Sequence, residues 1–362
     1  MPSSSAAVLD PTHSSAATRD LLGAWLALQH VLALEPQRAA ERVRGQPDPR
    51  ALLASLKPGS PFDRAAATAA LARAGAVALP VVSQSYPERL ANLSDPPLLL
   101  LVRGDVSALA KRAVAIVGAR AATVYGRKVA RTLAAELARE GIVIVSGLAR
   151  GIDAEAHAGA LEVGGQTVAV QACGIDRVYP AEHRSLAARI SESGAVIGEL
   201  PLGTSPRKSF FPLRNRLISG LALAVVVVEA RERSGSLITA AHAANQGREV
   251  FAVPGPITAP TSLGANRLLR DGAHPCLGAE EVLDELQLLP TWTPPALPDL
   301  GVKAPSREIL ASLAAEPASR DELSRRLQRE PEQLALELLE LELDGVIDED
   351  RDGRFRVLAS RA

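Results

Sequence analysis

The chain has 362 residues, of which 47% are hydrophobic and 3% aromatic, and its formal net charge is −1 at pH 7. This length favours two or three domains, and the near-zero charge excludes a strong overall attraction to nucleic acid. Two cysteines exclude a disulfide framework, and every apolar run is shorter than the ~18 residues of a membrane span, so we expect a cytoplasmic protein without membrane contact.

The N-terminal part predicts a disordered tail followed by a small helical domain. Residues 1–18 are rich in Ser and Ala and lack the basic start and apolar stretch of a signal peptide. We assign residues 19–80 to an α-helical domain whose pattern does not indicate a function. Its short helical patterns, separated by prolines, cover residues 21–34, 36–44, 50–56 and 63–74.

The central part, residues 81–289, repeats a strand that ends in a turn, often rich in glycine, and continues into a helix. Continuous apolar runs of this kind are typical of parallel strands that are covered on both faces. Their turns lie at the carboxyl ends of the strands, where open α/β sheets bind ligands and helix N-termini attract anions. The pattern predicts a doubly wound, mainly parallel sheet with strands near residues 114–118, 142–147, 167–174, 224–229 and 249–255.

The last part predicts a proline-rich linker, residues 290–302, and a winged-helix-like domain, residues 303–362. Three helical patterns at residues 307–314, 319–327 and 331–344 precede a hairpin signal at Asp352-Gly353. This domain contains ten Lys or Arg and fourteen Asp or Glu, a net charge of −4. A helix that reads a DNA groove should be basic, so we expect a protein partner or an intramolecular contact instead.

The turn after the first central strand offers a candidate ligand contact without a known nucleotide motif. Gly118 and Arg120 follow the strand directly, but neither the G-x-G-x-x-G spacing nor a P-loop is present. We therefore expect no nucleotide cofactor. Arg120 is placed at the carboxyl edge of the sheet, unless it is an ordinary surface arginine that pairs with a helix.

The turn after the second strand contains Ser146 and Gly147, and the glycine allows close backbone approach to a ligand. Asp153 and His157 follow, four residues apart on one helix face. They could form an acid–base or metal pair, but two ligands are too few for a metal site, and an Asp at a helix start also caps free N–H groups. We favour the structural interpretation and expect no metal.

Residues 207–216 combine positive charge with aromatic rings. Four Lys or Arg, two Phe and one Asn occur there without an acidic residue. Cations that neutralise phosphates and rings that stack on bases suit single-stranded nucleic acid. In the alternative, Phe210 and Phe211 lie in the core and the cations are only solvated; one ring inside and one outside is an intermediate case.

A further turn, Ser234-Gly-Ser236, precedes a predicted helix. Hydroxyls and free N–H groups at a helix start can hold a phosphate, although ordinary N-capping explains them equally well. No Ser–His–Asp arrangement and no G-x-S-x-G elbow occurs, so we expect a binding protein and not an enzyme.

These motifs, in this order, resemble the DNA-processing protein A family (DprA, also called Smf). The resemblance covers about residues 86–273. It rests on Tyr86-Pro-x-x-Leu90, Asp95-Pro-Pro97, Ile116-Val-Gly-x-Arg120, Val145-Ser-Gly-Leu-Ala-x-Gly-Ile-Asp153, Gly174-x-Asp-x-x-Tyr-Pro180, Phe211-Pro-x-Arg-Asn-Arg216, Ser234-Gly-Ser-Leu-Ile-Thr-Ala240, Gly247-Arg248 and Val253-Pro-Gly255.

The resemblance implies an extended Rossmann-like core that binds single-stranded DNA, with a sterile-alpha-motif-like (SAM-like) N-terminal domain and a C-terminal winged helix. It also implies a homodimer that loads the recombinase RecA onto single-stranded DNA during natural transformation and helps to displace single-strand DNA-binding protein. Carried over to this chain, the implied DNA contacts are Gly118, Arg120, Ser146, Gly147, Lys208, Phe211, Arg214, Asn215, Arg216, Ser234 and Ser236.

Two other functions stay open. A phosphoribohydrolase-like enzyme acting on nucleoside monophosphates would have a related fold, but the chain lacks a Pro-Gly-Gly-x-Gly-Thr loop, and Glu229 is the only notable acid at a strand end. A regulator that reads duplex DNA through its winged helix is opposed by the net charge of −4.

Overall fold

The computed structural model of the chain describes residues 8–12, 14–32, 41–43, 48–56, 62–287, 308–310, 312–313, 318–343, 346–349 and 353–357. Contacts divide the chain into two units, Met1–Leu288 and Leu289–Ala362, and each is described by itself. No helix in the described ranges is long and apolar enough to cross a membrane.

The first unit is built on a nine-stranded sheet with the order β1-β2-β6-β5-β4-β3-β7-β8-β9. The strands are Val77–Pro80 (β1), Leu99–Gly104 (β2), Ala113–Val117 (β3), Val143–Ser146 (β4), Thr167–Val170 (β5), Ala195–Gly198 (β6), Ala224–Val227 (β7), Glu249–Ala252 (β8) and His274–Pro275 (β9).

The sheet is mainly parallel and doubly wound, as the apolar runs predict. Strands β3 to β9 pair in parallel, while β1 and β2 add an antiparallel edge. From β3 the chain builds β4, β5 and β6 on one side, then returns and builds β7, β8 and β9 on the other. The winding therefore reverses between β3 and β7, which is the point where such sheets open a ligand crevice.

Helices cover both faces of this sheet. In β3, Val114 and Ile116 pack with the cluster that contains Leu137, whereas Ala115 packs with the opposite cluster that contains Leu217. This alternation is the period of two of a strand that is buried on both faces. The helices are Ala16–Leu32 (α1), Pro49–Leu56 (α2), Arg64–Arg73 (α3), Glu88–Ala91 (α4), Val124–Arg139 (α5), Ile152–Glu162 (α6), Arg184–Ser193 (α7), Phe210–Leu221 (α8), Gly235–Asn245 (α9), Leu263–Arg270 (α10) and Ala279–Glu285 (α11).

The N-terminal helices lie directly on the sheet. Trp25 and Leu28 of α1 share one buried cluster with Leu99 and Leu101 of β2. The amide nitrogen of Gln29 donates hydrogen bonds to the backbone oxygens of Leu99, at 3.4 Å, and Glu199, at 2.8 Å. Helix α1 is therefore part of the same hydrophobic core, and a SAM-like domain at residues 19–80 stays a prediction.

Two of the predicted boundaries need correction. Leu9 exchanges two backbone hydrogen bonds with Ala78, at 2.9 and 3.0 Å, so the described part of residues 1–18 is not a disordered tail. Strand β1 belongs to the sheet although our boundary placed it in the N-terminal domain. Its four residues end in Pro80 and pair with β2, and Ala78 also bridges to Leu9, but such a short edge strand has little sequence signal. All of the predicted linker, residues 290–302, lies outside the described ranges, as do parts of the helical patterns.

Helices α5 and α6 pack unusually closely at Gly159. A methyl group added there would approach the backbone oxygen of Arg131 to 2.1 Å, which α5 can relieve only by moving. We expect Gly159→Ala to lower the free energy of unfolding by about 2 kcal/mol, because overpacking exceeds the gain in helix propensity. Urea denaturation followed by circular dichroism measures this. Gly278→Ala is the matched control, since its methyl would meet only the end of Glu281 at 3.4 Å; equal stability of both variants would contradict the close packing.

The second unit has the winged-helix architecture that the sequence predicts. Its elements are Ala318–Ser319 (β10), Arg320–Leu327 (α12), Pro331–Leu343 (α13), Ile347–Glu349 (β11) and Arg354–Val357 (β12), and the sheet order is β10-β12-β11. A capping box between Ser319 and Glu322 begins α12. Leu334, Leu338 and Leu341 of α13 pack in the core of this unit.

Candidate nucleic-acid interface

A cavity of about 360 Å³, here called the main cavity, lies where the winding of the sheet reverses. Its walls come from the turns after β3 and β7 and from the beginnings of α8 and α9. A smaller cavity of about 40 Å³ adjoins it through Arg120, Ala149 and Phe211, which line both. Ligand sites of open α/β sheets occupy this position, which makes the main cavity the candidate binding site.

The turn after β3 is held by a buried carboxylate. Glu229, which is 4% exposed, accepts hydrogen bonds from the backbone nitrogen of Thr123 at 3.0 Å and from its hydroxyl at 2.5 Å. The Thr123 hydroxyl also accepts from the Gly126 N–H and so caps the start of α5. Gly118 and Arg120 lie on the same turn and line the main cavity. Glu229 is thus engaged in holding the turn, which disfavours the phosphoribohydrolase-like hypothesis.

The turn after β4 is held by hydrogen bonds to a side chain of α6, the helix that follows it. One oxygen of the buried Asp153 accepts hydrogen bonds from the N–H groups of Gly147, at 3.1 Å, and Ala149, at 3.3 Å. His157 bonds to the Thr167 hydroxyl at 2.6 Å, and burial lowers the pKa of its imidazole to about 3. His157 is therefore neutral at physiological pH. Asp153 and His157 serve different local structures, which agrees with the structural interpretation of this pair.

Ser146 does not reach the cavity with its side chain. Its hydroxyl donates a 2.6 Å hydrogen bond to the backbone oxygen of Ile116, and the residue is fully buried. The hydroxyl of Ser146 is therefore not free to contact a phosphate, and a contact of its backbone with DNA stays a prediction. A hydroxyl in the last position of a parallel strand can bond to the neighbouring strand, and the sequence does not distinguish this from a free hydroxyl. Gly147 lines the small cavity instead.

Arg214 forms the floor of the main cavity as a buried cation. Its guanidinium donates hydrogen bonds to the backbone oxygens of Gly147, at 2.6 Å, and Val170. Burial lowers the pKa of Arg214 to about 10, and the charge of Asp153 opposes that shift, so the group stays positive at neutral pH. Asn215, the next residue, donates from its amide nitrogen to the backbone oxygen of Gly235 at 3.2 Å and joins α8 to the start of α9.

Arg216 is buried away from the cavity, so the prediction that its side chain contacts DNA is wrong. Its Nε lies 3.1 Å from Asp95 and one terminal nitrogen lies 2.5 Å from Glu199, and its side chain is 3% exposed. Successive helical residues point about 100° apart, so Arg214 and Arg216 cannot both face one cavity. We call Asp95, Glu199 and Arg216 the buried triad, in which Glu199 and Arg216 are buried and the Asp95 side chain is 21% exposed.

The two phenylalanines divide between core and cavity, the intermediate case considered from the sequence. Phe210 is buried with Ala172 and Leu200, whereas Phe211 is half-buried and lines both cavities. The Arg120 guanidinium carbon lies 4.7 Å from the centroid of the Phe211 ring, at a distance typical of a cation–π contact. The Tyr179 ring also lies near Phe211, with 5.7 Å between the ring centroids.

The start of α9 supplies hydroxyls to the main cavity. The Ser234 hydroxyl caps the helix by accepting from the N–H of Ser236 at 3.4 Å, and the two hydroxyls are 2.8 Å apart. N-capping therefore accounts for Ser234, while both serines still line the cavity. Arg231 and Arg233 lie beside them, exposed, and were missed from the sequence. Both follow a buried strand closely, as Arg120 does, and this position could have identified them from the sequence.

The main cavity therefore has an excess of positive charge. It is lined by Arg120, Arg214, Arg231 and Arg233 against the single carboxylate of Asp153. Within the described ranges, none of the three exposed arginines forms an ion pair. Cations, a ring and helix-start N–H groups can hold phosphates and stack on a base.

The eleven predicted contacts fall into four groups: seven line the main cavity, Gly147 lines only the small cavity, the Ser146 and Arg216 side chains are buried, and Lys208 is exposed. Lys208 is exposed just before α8 but lines neither cavity. Tyr179, missed as a contact, could have been found from its place in the Gly174-x-Asp-x-x-Tyr-Pro180 motif and from the scarcity of aromatic residues. The predicted residues that line the main cavity are Gly118, Arg120, Phe211, Arg214, Asn215, Ser234 and Ser236.

A group of three potential metal ligands occurs elsewhere in the described ranges. Glu249, His274 and Glu285 lie together at the β8–β9 edge of the sheet. His274 places Nε2 at 3.2 Å from Glu249 and Nδ1 at 3.5 Å from Glu285. Because each ring nitrogen faces a different carboxylate, the arrangement suits an imidazole bridging two acids.

Comparisons with known proteins agree with this architecture. The family model described as DNA recombination-mediator protein A matches residues 78–287, and the DprA winged helix domain matches residues 293–353. Protein Smf of Escherichia coli K12 is 43% identical over 277 residues, 74% of each chain.

Two solved structures are also similar. DNA processing protein A of Streptococcus pneumoniae is 34% identical with a TM-score of 0.60, covering 74% of this chain and 94% of that one. DNA processing protein A of Helicobacter pylori, whose structure was solved for its single-stranded DNA binding mode, is 33% identical with a TM-score of 0.52, covering 56% and 92%.

Proposed function

Because the chain belongs to the DNA recombination-mediator protein A family, we propose that it binds single-stranded DNA in the main cavity and delivers that strand to a recombinase. In this proposal the protein performs no catalytic step. It loads RecA onto single-stranded DNA during natural transformation, helps to displace single-strand DNA-binding protein, and acts as a cytoplasmic homodimer.

The observation that carries the proposal is the pairing of Arg120 with Phe211 at the boundary of the two cavities. A guanidinium placed 4.7 Å from a half-buried ring offers a phosphate contact and a stacking surface side by side. The Arg214 guanidinium and the N-terminus of α9 at Ser234 add positive charge to the same cavity. A single strand presents free bases as well as phosphates, whereas a duplex presents mainly its phosphates to such a cavity.

A direct test compares oligonucleotides of identical sequence, single- and double-stranded, by fluorescence anisotropy at two salt concentrations. We expect tighter binding of the single strand, with no requirement for nucleotide or metal. Its log–log salt dependence should have a slope of about −0.7 for each phosphate neutralised. Equal affinity for both forms, or release of a base from a nucleoside monophosphate, would count against the proposal.

The ring of Phe211 should contribute stacking energy that is independent of sequence. We expect Phe211→Leu to weaken binding of single strands by roughly tenfold, because stacking on one base is worth ~1–3 kcal/mol and leucine keeps only apolar contact. Phe210→Leu is the matched control, since Phe210 lies in the core next to it. Affinities for oligo-dT and oligo-dC should fall alike for Phe211→Leu; if Phe210→Leu has the larger effect on binding, the assignment of the two rings is wrong.

The recombinase step has its own test. We expect the protein to accelerate RecA filament formation on DNA that is coated with single-strand DNA-binding protein, measured by ATP turnover of RecA. A variant that cannot bind DNA should give no acceleration.

The homodimer is tested separately. Light scattering after size-exclusion chromatography gives the mass of the protein in solution, which should be that of two chains.

A further inference from the structure

A second and larger groove adjoins the small cavity on the side away from the main cavity. It has a volume of about 1150 Å³, more than three times that of the main cavity. Four arginines line it, Arg103, Arg150, Arg177 and Arg184, together with the ring of Tyr179. We call it the arginine groove. It is built from the end of β2, Arg150, the segment after β5, helix α7 and Pro206.

The three cavities form one continuous track. The main and small cavities share Arg120 and Phe211, and the small cavity and the arginine groove share Arg150 and Tyr179. The Tyr179 ring is 45% exposed and lies 5.7 Å from the ring of Phe211, with the ring planes inclined by 54°. A chain of ligand units that leaves the main cavity over Phe211 therefore meets Tyr179 next.

Three acids line the arginine groove, Asp176, Glu182 and Glu192, and hydrogen bonds engage the first two. Both oxygens of Glu182 accept from Arg150, at 2.6 and 2.7 Å, and Asp176 accepts from the backbone nitrogen of Gly203 at 2.9 Å. Arg177 and Arg184 are exposed and form no ion pair within the described ranges.

Arg103, which also lines the arginine groove, has a hydrogen-bond donor without a partner in the described part of the chain. Its Nε is buried and has no hydrogen-bond partner among the described residues. A buried donor without a partner is costly, and this donor belongs to a side chain that lines the groove.

We propose that the arginine groove is a second subsite that binds the continuation of the same single strand of DNA, with Tyr179 as the stacking bridge between the two subsites. The inference rests on the proposed function, because the strand has to occupy the main cavity first. The inference extends the proposed function by giving the course of the DNA strand after it leaves the main cavity. There its phosphates contact Arg177 and Arg184, and one base stacks on Tyr179.

The chemistry of the arginine groove favours a flexible polyanion over a compact anion. Four arginines line it, and the groove volume exceeds the ~300–1,000 Å³ of an ordinary small-molecule site. The single exposed ring suits a base that is free to turn, as in single-stranded nucleic acid, where cations follow the backbone and rings stack on bases.

Oligonucleotide length separates the two subsites experimentally. Oligothymidylates of about 6 and about 20 nucleotides bracket much of the ~4–16 nucleotide range of single-strand sites. We expect Arg177→Glu/Arg184→Glu to weaken binding of the longer strand at least tenfold and to leave binding of the shorter strand within about twofold. The salt dependence of the longer strand should also become shallower by ~0.7 for each phosphate that the variant no longer neutralises.

A matched double variant, Arg112→Glu/Arg139→Glu, makes the same change of charge at two exposed arginines that line none of the three cavities. It should bind both lengths almost as the unchanged protein does. Thermal melting of both double variants shows whether they are folded.

Each outcome decides a different claim. If the groove variant binds the longer strand as tightly as the control variant does, or loses both lengths equally, the second subsite is wrong while the main cavity stands. If the unchanged protein binds neither length, the proposed function fails first. Cross-linking with 5-iodouracil is the second readout: Tyr179 should react at thymine positions different from those near Phe211, and the same position for both rings would overturn the path.

Discussion

Arg120→Glu is expected to weaken the binding of single-stranded DNA by about 100-fold, equivalent to ~2.7 kcal/mol. Arg120 lies where the main and small cavities meet, and its guanidinium faces the Phe211 ring at 4.7 Å. The change removes a charge-assisted hydrogen bond, worth ~1.5–3 kcal/mol, and places a carboxylate where a phosphate would bind. The slope of the salt dependence should decrease by about 0.7 because the variant neutralises one phosphate fewer.

Two further variants make this measurement decisive. Arg139→Glu changes the charge equally at an exposed site in the last turn of α5 and should weaken binding by less than twofold. Arg120→Lys keeps the charge but loses the planar group that stacks on the ring, so its affinity should lie between the two. If Arg120→Glu and Arg139→Glu bind alike, the main cavity is not the DNA site.

Removing the central cation of the buried triad should have the largest effect on stability. Arg216→Met leaves the carboxylates of Asp95 and Glu199 without their partner, and Glu199 is 7% exposed. Breaking a buried ion pair from one side costs about 3–5 kcal/mol of the free energy of unfolding, because an uncompensated buried charge remains. Urea denaturation of Arg216→Met, with Arg139→Met as an exposed control within about 0.5 kcal/mol of the unchanged protein, measures this.

The same variant should show a pH dependence of known sign. Burial raises the pKa of Glu199, and the charge of Arg216 opposes that rise, so its removal raises the pKa further. A carboxyl whose folded pKa exceeds its unfolded value of ~4.3 holds more protons when folded, so stability falls as pH rises through that window. The deficit of Arg216→Met should therefore be larger at pH 8 than at pH 5.5. Adding Glu199→Gln should recover part of the loss, and an unchanged deficit would contradict the role of the triad.

The sheet and the place of the binding site were predictable because they depend on local patterns. Continuous apolar runs indicate strands buried on both faces, and the structure has strands at β3, β4, β5, β7 and β8 inside those runs. Turns after such strands meet at one edge of the sheet, so Gly118 and Ser234 could be expected near each other without knowing the topology. Four strands were not predicted, the edge strands β1 and β9 and also β2 and β6. Strand β9 has only two residues, which are too few to form an apolar run.

The direction of individual side chains was not predictable, because it depends on residues distant in sequence. Within residues 207–216 the composition suggests DNA contact for every cation, yet Arg214 points to the cavity floor and Arg216 to Asp95 and Glu199. The two acids lie more than 100 and almost 20 residues before Arg216 in the chain. Only the packing of α8 against the sheet brings them together, and no spacing rule contains that information.

The position of α1 determines where this protein can be shortened. The family model begins at residue 78, which makes that residue an inviting start for an expression fragment. Such a fragment would lose the layer that covers Leu99, Leu101 and Val196, together with the Gln29 amide that satisfies two backbone oxygens. An apolar flank of the sheet would then face water and invite aggregation. Fragments intended for crystallisation or interaction assays should therefore retain the chain from Val8 onward.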